Sequence, residues 1–121
     1  MNRPRRIIAL AFGCLAIATA VRTATSAPAG QVRDVAIDAD QFAFSPARIE
    51  VQKDELVKVT FRARDMAHSF TIDKYRIAKR AAGGQAVVFE FRADQTGTFE
   101  FYCNLSQDDR CRQMKGELVV K

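Results

Sequence analysis

Residues 57–64 read Val-Lys-Val-Thr-Phe-Arg-Ala-Arg, in which apolar and polar side chains alternate. Successive side chains of a β-strand point to opposite faces, so this pattern predicts a strand with one buried face. The same period recurs at 35–37, 42–44, 49–51, 70–72, 87–93, 98–103 and 117–121. About seven short strands at this spacing predict an all-β fold, a single antiparallel Greek-key β-sandwich. The only candidate helix, at residues 75–82, is too short and too irregular to predict a helix there.

The N-terminus has the three-part layout of a secretory signal peptide. Residues 1–6 include three arginines, residues 7–21 form an apolar run, and residues 23–27 offer small side chains for cleavage. The apolar run is shorter than the roughly 20 residues that a membrane-spanning helix needs, which favours cleavage over an uncleaved anchor. Contact with a membrane is therefore expected only through this segment, if it stays uncleaved.

The predicted organisation is a signal peptide at 1–27, a leader at 28–34 and one domain at 35–121, in a periplasmic or secreted protein. The net charge of +5 does not describe that domain. Four of the 19 basic residues lie in the signal peptide, so the remaining basic residues nearly balance the 14 acidic ones. A nearly neutral domain without a basic run gives no support to a nucleic-acid partner.

Four soft or borderline metal ligands stand out in the predicted domain. Cys103, Cys111 and Met114 lie in one short loop, and His68 is the only histidine of the chain. Two thiols, a thioether and an imidazole are ligands that select copper over harder metals. The alternation of residues 98–103 places Cys103 on the inward face at the end of its strand, at one pole of the sandwich.

The two cysteines also have a simpler interpretation. Cys14 lies in the predicted signal peptide, so the exported domain keeps Cys103 and Cys111 and no odd thiol. An exported protein can hold disulfides, and a Cys103–Cys111 bond would take both sulfurs out of a ligand set. The sequence leaves both alternatives open.

Three segments resemble the cupredoxin family, and most closely the copper domain of cytochrome oxidase subunit II and nitrous oxide reductase. They are residues 65–70 (Asp-Met-Ala-His-Ser-Phe), 97–103 (Gly-Thr-Phe-Glu-Phe-Tyr-Cys) and 114–120 (Met-Lys-Gly-Glu-Leu-Val-Val). The resemblance implies a cupredoxin-like sandwich with a copper cofactor, in which the first segment supplies a histidine ligand, here His68. The other ligands of that family come from a loop with the spacing Cys-x3-Cys-x3-His-x2-Met.

The ligand loop of this chain keeps that spacing but changes its residues. Cys103 and Met114 match the first cysteine and the methionine, whereas Gln107 replaces the second cysteine and Cys111 replaces the histidine. The resemblance therefore implies neither the dinuclear centre, which needs two bridging thiolates, nor a blue site, which needs two histidines. It implies a mononuclear site of His68, Cys103, Cys111 and Met114. Gln107 and Asp108 are possible additional ligands.

The predicted function is periplasmic electron transfer or copper handling, with a redox or copper-exchange protein as partner, rather than catalysis. With one histidine the chain offers no catalytic triad. The alternative is a metal-free β-sandwich that binds or assembles other molecules and is stabilised by a Cys103–Cys111 disulfide. Free thiols in the purified domain would favour the copper protein over this alternative.

Overall fold

A computed structural model of the protein describes residues 13, 20 and 32–121. Those residues form nine strands, one short α-helix and one turn of 3₁₀ helix. The strands are β1 (Val32–Asp40), β2 (Ala43–Ser45), β3 (Arg48–Val51), β4 (Leu56–Ala63), β5 (His68–Ile72), β6 (Ile77–Ala81), β7 (Ala86–Arg92), β8 (Gly97–Tyr102) and β9 (Lys115–Val120). The α-helix, α1, is Asp109–Gln113, and the 3₁₀ turn is Asp73–Tyr75.

The strands form two sheets, one with the order β2-β1-β4-β7 and the other with the order β3-β9-β8-β5-β6. The predicted all-β sandwich is confirmed. Its strand number and pairing differ from the prediction, because β1 pairs with β4 and β3 pairs with β9 in parallel. The remaining five pairings are antiparallel within the described part of the chain. An alternating pattern reports which face of a strand is buried and not the direction of its neighbour.

Residues 57–64 show how the alternation builds the core. In β4, Val57, Val59, Phe61 and Ala63 are all buried at 1% exposure or less, while the residues between them face outwards or are partly covered. Aromatic rings from both sheets meet behind this strand. The ring of Phe70 lies 4.8 Å from that of Phe101 and 5.8 Å from that of Phe61, centroid to centroid. These contacts join β4 of one sheet to β5 and β8 of the other.

The other sequence-based expectations concern the start of the domain, the segment at 75–82 and the signal peptide. The first strand begins at Val32, three residues before the predicted start of the domain at Val35. The segment at 75–82, too irregular to predict a helix, contains none: β6 occupies 77–81 as an edge strand beside β5. The predicted signal peptide lies outside the described residues and stays a prediction. No helix within the described residues is long and apolar enough to span a membrane.

Strands β5 and β8 bring the predicted ligands to one pole of the sandwich. The two strands are antiparallel, with Thr71 opposite Tyr102. The start of β5, at His68, therefore lies beside the loop that follows β8. That loop contains α1 and leads into β9, which returns along β8.

Candidate metal centre

His68 is the first residue of β5, and its side chain is fully buried. Its Nε2 lies 2.7 Å from Oδ1 of Asp65. Its Nδ1 is buried and has no hydrogen-bond partner among the described residues. A buried polar nitrogen without a partner is costly, and such atoms need an explanation such as a bound ion.

Asp65 holds the imidazole from the loop before β5. Its Oδ1 also accepts the backbone N–H of Met66 at 2.9 Å, and its Oδ2 accepts the backbone N–H of Gln41 at 3.1 Å. Partial burial acts to raise the pKa of Asp65, but the hydrogen bonds from His68, Gln41 and Met66 outweigh burial and lower the pKa below its ordinary value. The group is therefore a carboxylate that accepts hydrogen bonds from three sides.

Cys103 directly follows β8 and is fully buried beside β5, the strand that begins at His68. The backbone N–H of Ser69 lies 3.4 Å from Cys103 Sγ, in position to donate to it. Ser69 also fastens the loop, because its Oγ accepts the backbone N–H of Asn104 and donates to Asn104 Oδ1, both at 2.7 Å. The residue next to the imidazole thus fixes the position of this sulfur.

Cys111 and Met114 lie in the helix and at its end. Asp108 caps α1 by accepting the backbone N–H of Arg110 at 2.9 Å. Met114 donates its N–H to the Cys111 carbonyl at 3.0 Å, and its own carbonyl lies 3.3 Å from the N–H of Cys103. Both side chains are at most 3% exposed. The loop therefore brings both cysteines and the methionine into the buried core.

A disulfide joins Cys103 to Cys111, with their Cα atoms 5.2 Å apart. This bond is the second of the two alternatives that the sequence left open. No group of three or more His, Cys, Asp or Glu side chains that could hold a metal is found in the described part of the chain. With the bond in place, His68 and Met114 are the remaining donors of the predicted ligand set.

The two additional candidates lie at the edge of the site. Gln107 is exposed and lines a cleft of about 80 Å³ together with Met66, Asp108 and Cys111. Both oxygens of Asp108 accept hydrogen bonds from the guanidinium of Arg110, at 3.1 and 2.7 Å. These bonds lower the pKa of Asp108. Its carboxylate is therefore already engaged by the helix and by Arg110.

Phe42 and Arg110 cover the pole, and the sequence patterns gave neither of them this role. The ring of Phe42 contacts that of His68 edge to face, with centroids 5.7 Å apart. The guanidinium carbon of Arg110 lies 4.2 Å from the centroid of Phe42. The Phe42 ring therefore lies between the imidazole of His68 and the guanidinium of Arg110. Phe42 and Arg110 are far apart in the sequence, so only the folded chain reveals the stack.

A larger cleft lies on the outer face of the β8–β9 sheet and reaches the loop of the pole at Asn104 and Arg112. It measures about 430 Å³, and its lining includes Asp73, Glu100, Tyr102 and Lys115. Tyr102 donates its hydroxyl to Asp73 at 2.9 Å, and Lys115 lies 3.5 Å from Glu100. These groups satisfy one another, and no predicted ligand lines the cleft.

The donor set fits copper when the cysteines are reduced. The buried Nδ1 of His68, for which the described residues offer no partner, is then accompanied by two buried thiols and a buried thioether at the same end of β5 and β8. These are donors that copper prefers, and Cu(I) most of all. The Asp65–His68 hydrogen bond is the outer-shell arrangement that histidine ligands of metals commonly have.

A family model described as a cupredoxin-like domain matches residues 8–120. A search of curated protein sequences gives no match. Auracyanin A, a "blue" copper protein from Chloroflexus aurantiacus, has a TM-score of 0.64 and 16% identity, over 75% of this chain and 100% of its own. The metal-binding domain of the Cu(I)-exporting P-type ATPase CopA from Streptococcus pneumoniae D39, solved with Cu(I), has a TM-score of 0.64 and 19% identity, over 78% of this chain and 91% of its own.

A chain of a heme-copper terminal oxidase has a TM-score of 0.65 and 15% identity over 74% of this chain. The present chain spans 65% of the length of that oxidase chain. At these identities the solved structures share the fold, whereas the family model covers nearly the whole sequence. The chain therefore belongs to the cupredoxin family, as a cupredoxin-like domain.

Proposed function

We propose that this protein is an exported copper-binding cupredoxin with a mononuclear site formed by His68, Cys103, Cys111 and Met114. The observation that carries the proposal is the buried Nδ1 of His68, for which the described residues supply no hydrogen-bond partner. A copper ion would satisfy this nitrogen. The cupredoxin fold and the copper proteins among its structural neighbours support the same class of function.

Copper binding in this proposal belongs to the reduced protein. A thiolate is a metal ligand, whereas a disulfide sulfur is not an equivalent donor. Reduction of the Cys103–Cys111 bond raises the number of soft donors from two to four. The bound ion would supply one-electron redox chemistry, and the chain would supply the donors and a buried environment.

The donor set favours copper handling over rapid electron transfer. Two thiolates and a thioether stabilise Cu(I) relative to Cu(II), because soft ligands prefer the softer ion. A site that strongly prefers one oxidation state is better suited to carrying copper to a partner than to cycling. The partner would then be a copper-exchange protein in the periplasm, and the predicted signal peptide supports this location.

The test is a copper titration of the reduced protein. In the protein without the predicted signal peptide, which contains Cys14, the thiol count after anaerobic reduction and removal of the reductant should be two. This protein should take up one equivalent of Cu(I) from a chromogenic chelator. Met114→Leu removes the thioether at nearly constant volume and should weaken binding while the fold persists. Met66→Leu is the matched control, because Met66 is 43% exposed and lies outside the proposed ligand set. A reduced, folded protein that takes up no Cu(I) would contradict the proposal.

The Cys103–Cys111 disulfide favours a second candidate, the metal-free sandwich that binds or assembles other molecules. In that protein the disulfide is permanent and stabilises the loop. The thiol count distinguishes the copper protein from the metal-free sandwich. The metal-free sandwich keeps the disulfide under mild reduction, and it loses its fold or its partner when the disulfide is broken. Uptake of one Cu(I) by the reduced, folded protein would exclude it.

A further inference from the structure

The two cysteines of the disulfide differ in their access to solvent. Cys111 is 3% exposed and lines the cleft of about 80 Å³ at the pole, together with Met66 and Gln107. Cys103 is 0% exposed and does not belong to the lining of this cleft. A reagent that comes from solvent therefore meets the Cys111 end of the bond first.

This difference in access decides which sulfur a thiol can attack. Thiol–disulfide exchange begins when a thiolate attacks one sulfur of the bond, and the other sulfur leaves. The attacking sulfur approaches from the side opposite the leaving sulfur. An attack on Cys111 can start from the cleft, with Cys103 as the leaving sulfur, whereas an attack on Cys103 would have to pass through the packed core.

The buried sulfur has a hydrogen-bond donor in place for the negative charge that it gains on leaving. The backbone N–H of Ser69 lies 3.4 Å from Cys103 Sγ. A hydrogen bond to an ionised acceptor is stronger than one to a neutral acceptor. Ser69 is itself held by its two hydrogen bonds to Asn104, so this donor keeps its position while the disulfide opens.

The apolar lining of the cleft indicates what kind of thiol fits there. Phe42, Met66 and Leu105 contribute to this lining. Met66 is 43% exposed and is one of three exposed large apolar side chains in the described part of the chain. Exposed apolar side chains that surround a cleft are typical of a contact site. A volume of about 80 Å³ accommodates one small side chain, so a cysteine flanked by apolar residues on another protein fits.

We propose that the disulfide is an exchange site, which a dithiol protein reduces by attack on Cys111 through this cleft. The first sulfur of the dithiol bonds to Cys111 Sγ, the Cys103–Cys111 bond breaks, and its electron pair goes to Cys103 Sγ, which takes up a proton. The second sulfur of the dithiol then attacks the first, which releases Cys111 as a thiol and leaves the partner with a disulfide. Two electrons thus pass from the dithiol to this bond. The activity needs no metal and goes beyond the proposed function.

The first test locates the mixed disulfide. The folded, metal-free protein without the predicted signal peptide is exposed briefly to β-mercaptoethanol, a neutral monothiol, and quenched with acid. Peptide mass spectrometry then identifies the modified cysteine, which we expect to be Cys111. An adduct on Cys103 overturns the proposal, and so does a reaction that proceeds only in urea concentrations that unfold the protein.

Two pairs of variants test the route of attack. Cys103→Ala leaves the Cys111 thiol, and Cys111→Ala leaves the Cys103 thiol. The first should react with an aromatic disulfide reagent at least about tenfold faster, the ratio that corresponds to about 1.4 kcal/mol of additional cost for opening the core. Equal rates for the two thiols overturn the proposal.

The second pair changes the cleft while leaving the disulfide intact. Ala67 lines the cleft, so Ala67→Leu fills it and should slow adduct formation by β-mercaptoethanol several-fold. Ala78→Leu is the matched control, because Ala78 is exposed on edge strand β6 and should keep the original rate. An unchanged rate in Ala67→Leu overturns attack through the cleft.

The outcomes separate this proposal from the proposed function. An adduct on Cys111 in a protein that takes up no Cu(I) after reduction supports the exchange site and contradicts copper binding. An adduct on Cys103 in a protein that takes up one Cu(I) supports copper binding and contradicts the exchange site.

Discussion

Reduction of the Cys103–Cys111 bond should lower the free energy of unfolding by about 2.5 kcal/mol. The bond closes a loop with a sequence separation of 8. The chain-entropy relation assigns a loop of this length about 8 cal/mol/K of unfolded-state entropy, which corresponds to about 2.5 kcal/mol at 25 °C. For a domain of fewer than 100 residues, this loss lowers the unfolding midpoint by about 10–20 °C.

The assay is urea or thermal unfolding of the metal-free protein with and without a phosphine reductant, followed by circular dichroism. The control is the double variant Cys103→Ala/Cys111→Ala, whose midpoint should not respond to the reductant. Addition of Cu(I) to the reduced protein should raise the midpoint again, because a ligand that binds only the folded state stabilises it. Equal midpoints for the reduced and untreated proteins would refute this account of the loop.

Three further predictions concern single residues. A Cβ on Gly116 would overlap the Phe101 ring and lie 2.7 Å from the Ala47 carbonyl oxygen, so Gly116→Ala should cost at least about 1–3 kcal/mol in urea unfolding, and Phe101→Leu should restore part of that loss. Asp108→Ala removes the α1 cap and should cost about 1 kcal/mol, whereas Asp109→Ala, outside the cap, should cost less; equal losses would contradict the capping role. Because the pKa of Asp65 is lowered in the folded protein, its carboxylate stabilises the fold above its unfolded pKa, near 3.8, and this contribution is lost as the pH falls through the folded value. Between pH 7 and pH 3 the free energy of unfolding should therefore fall less in Asp65→Ala than in the unsubstituted protein, and an equal fall would contradict this contribution.

The fold could be predicted from the sequence because each strand of a sandwich buries one face, and its apolar residues therefore alternate with polar ones. The alternation of residues 57–64 names the four side chains that β4 buries. Pairing direction depends on chain crossovers that no local pattern encodes, so the parallel pairs of β1 and β3 were not predicted. The irregular residues 75–82 were also ambiguous, because edge strand β6 buries only its two ends.

The candidate site was predicted in part. His68 and the loop from Cys103 to Met114 came from motif spacing, and the fold brings them to one pole. Asp65 lies in the motif that contains His68, but its hydrogen bonds were not predicted. They depend on the Gln41 amide and the His68 ring, which only the folded chain brings together. The choice between disulfide and ligands depends on redox conditions, and spacing alone does not decide it.

X-ray absorption at the copper edge of the reduced, Cu(I)-loaded protein tests the ligand set most directly. The proposed site predicts a coordination shell dominated by sulfur, with one imidazole nitrogen, and loss of one sulfur in Met114→Leu. Met66→Leu should leave the shell unchanged. A shell of nitrogen and oxygen atoms alone, or one that is the same in the reduced and the disulfide-bonded protein, would contradict the assignment of Cys103 and Cys111 as copper ligands.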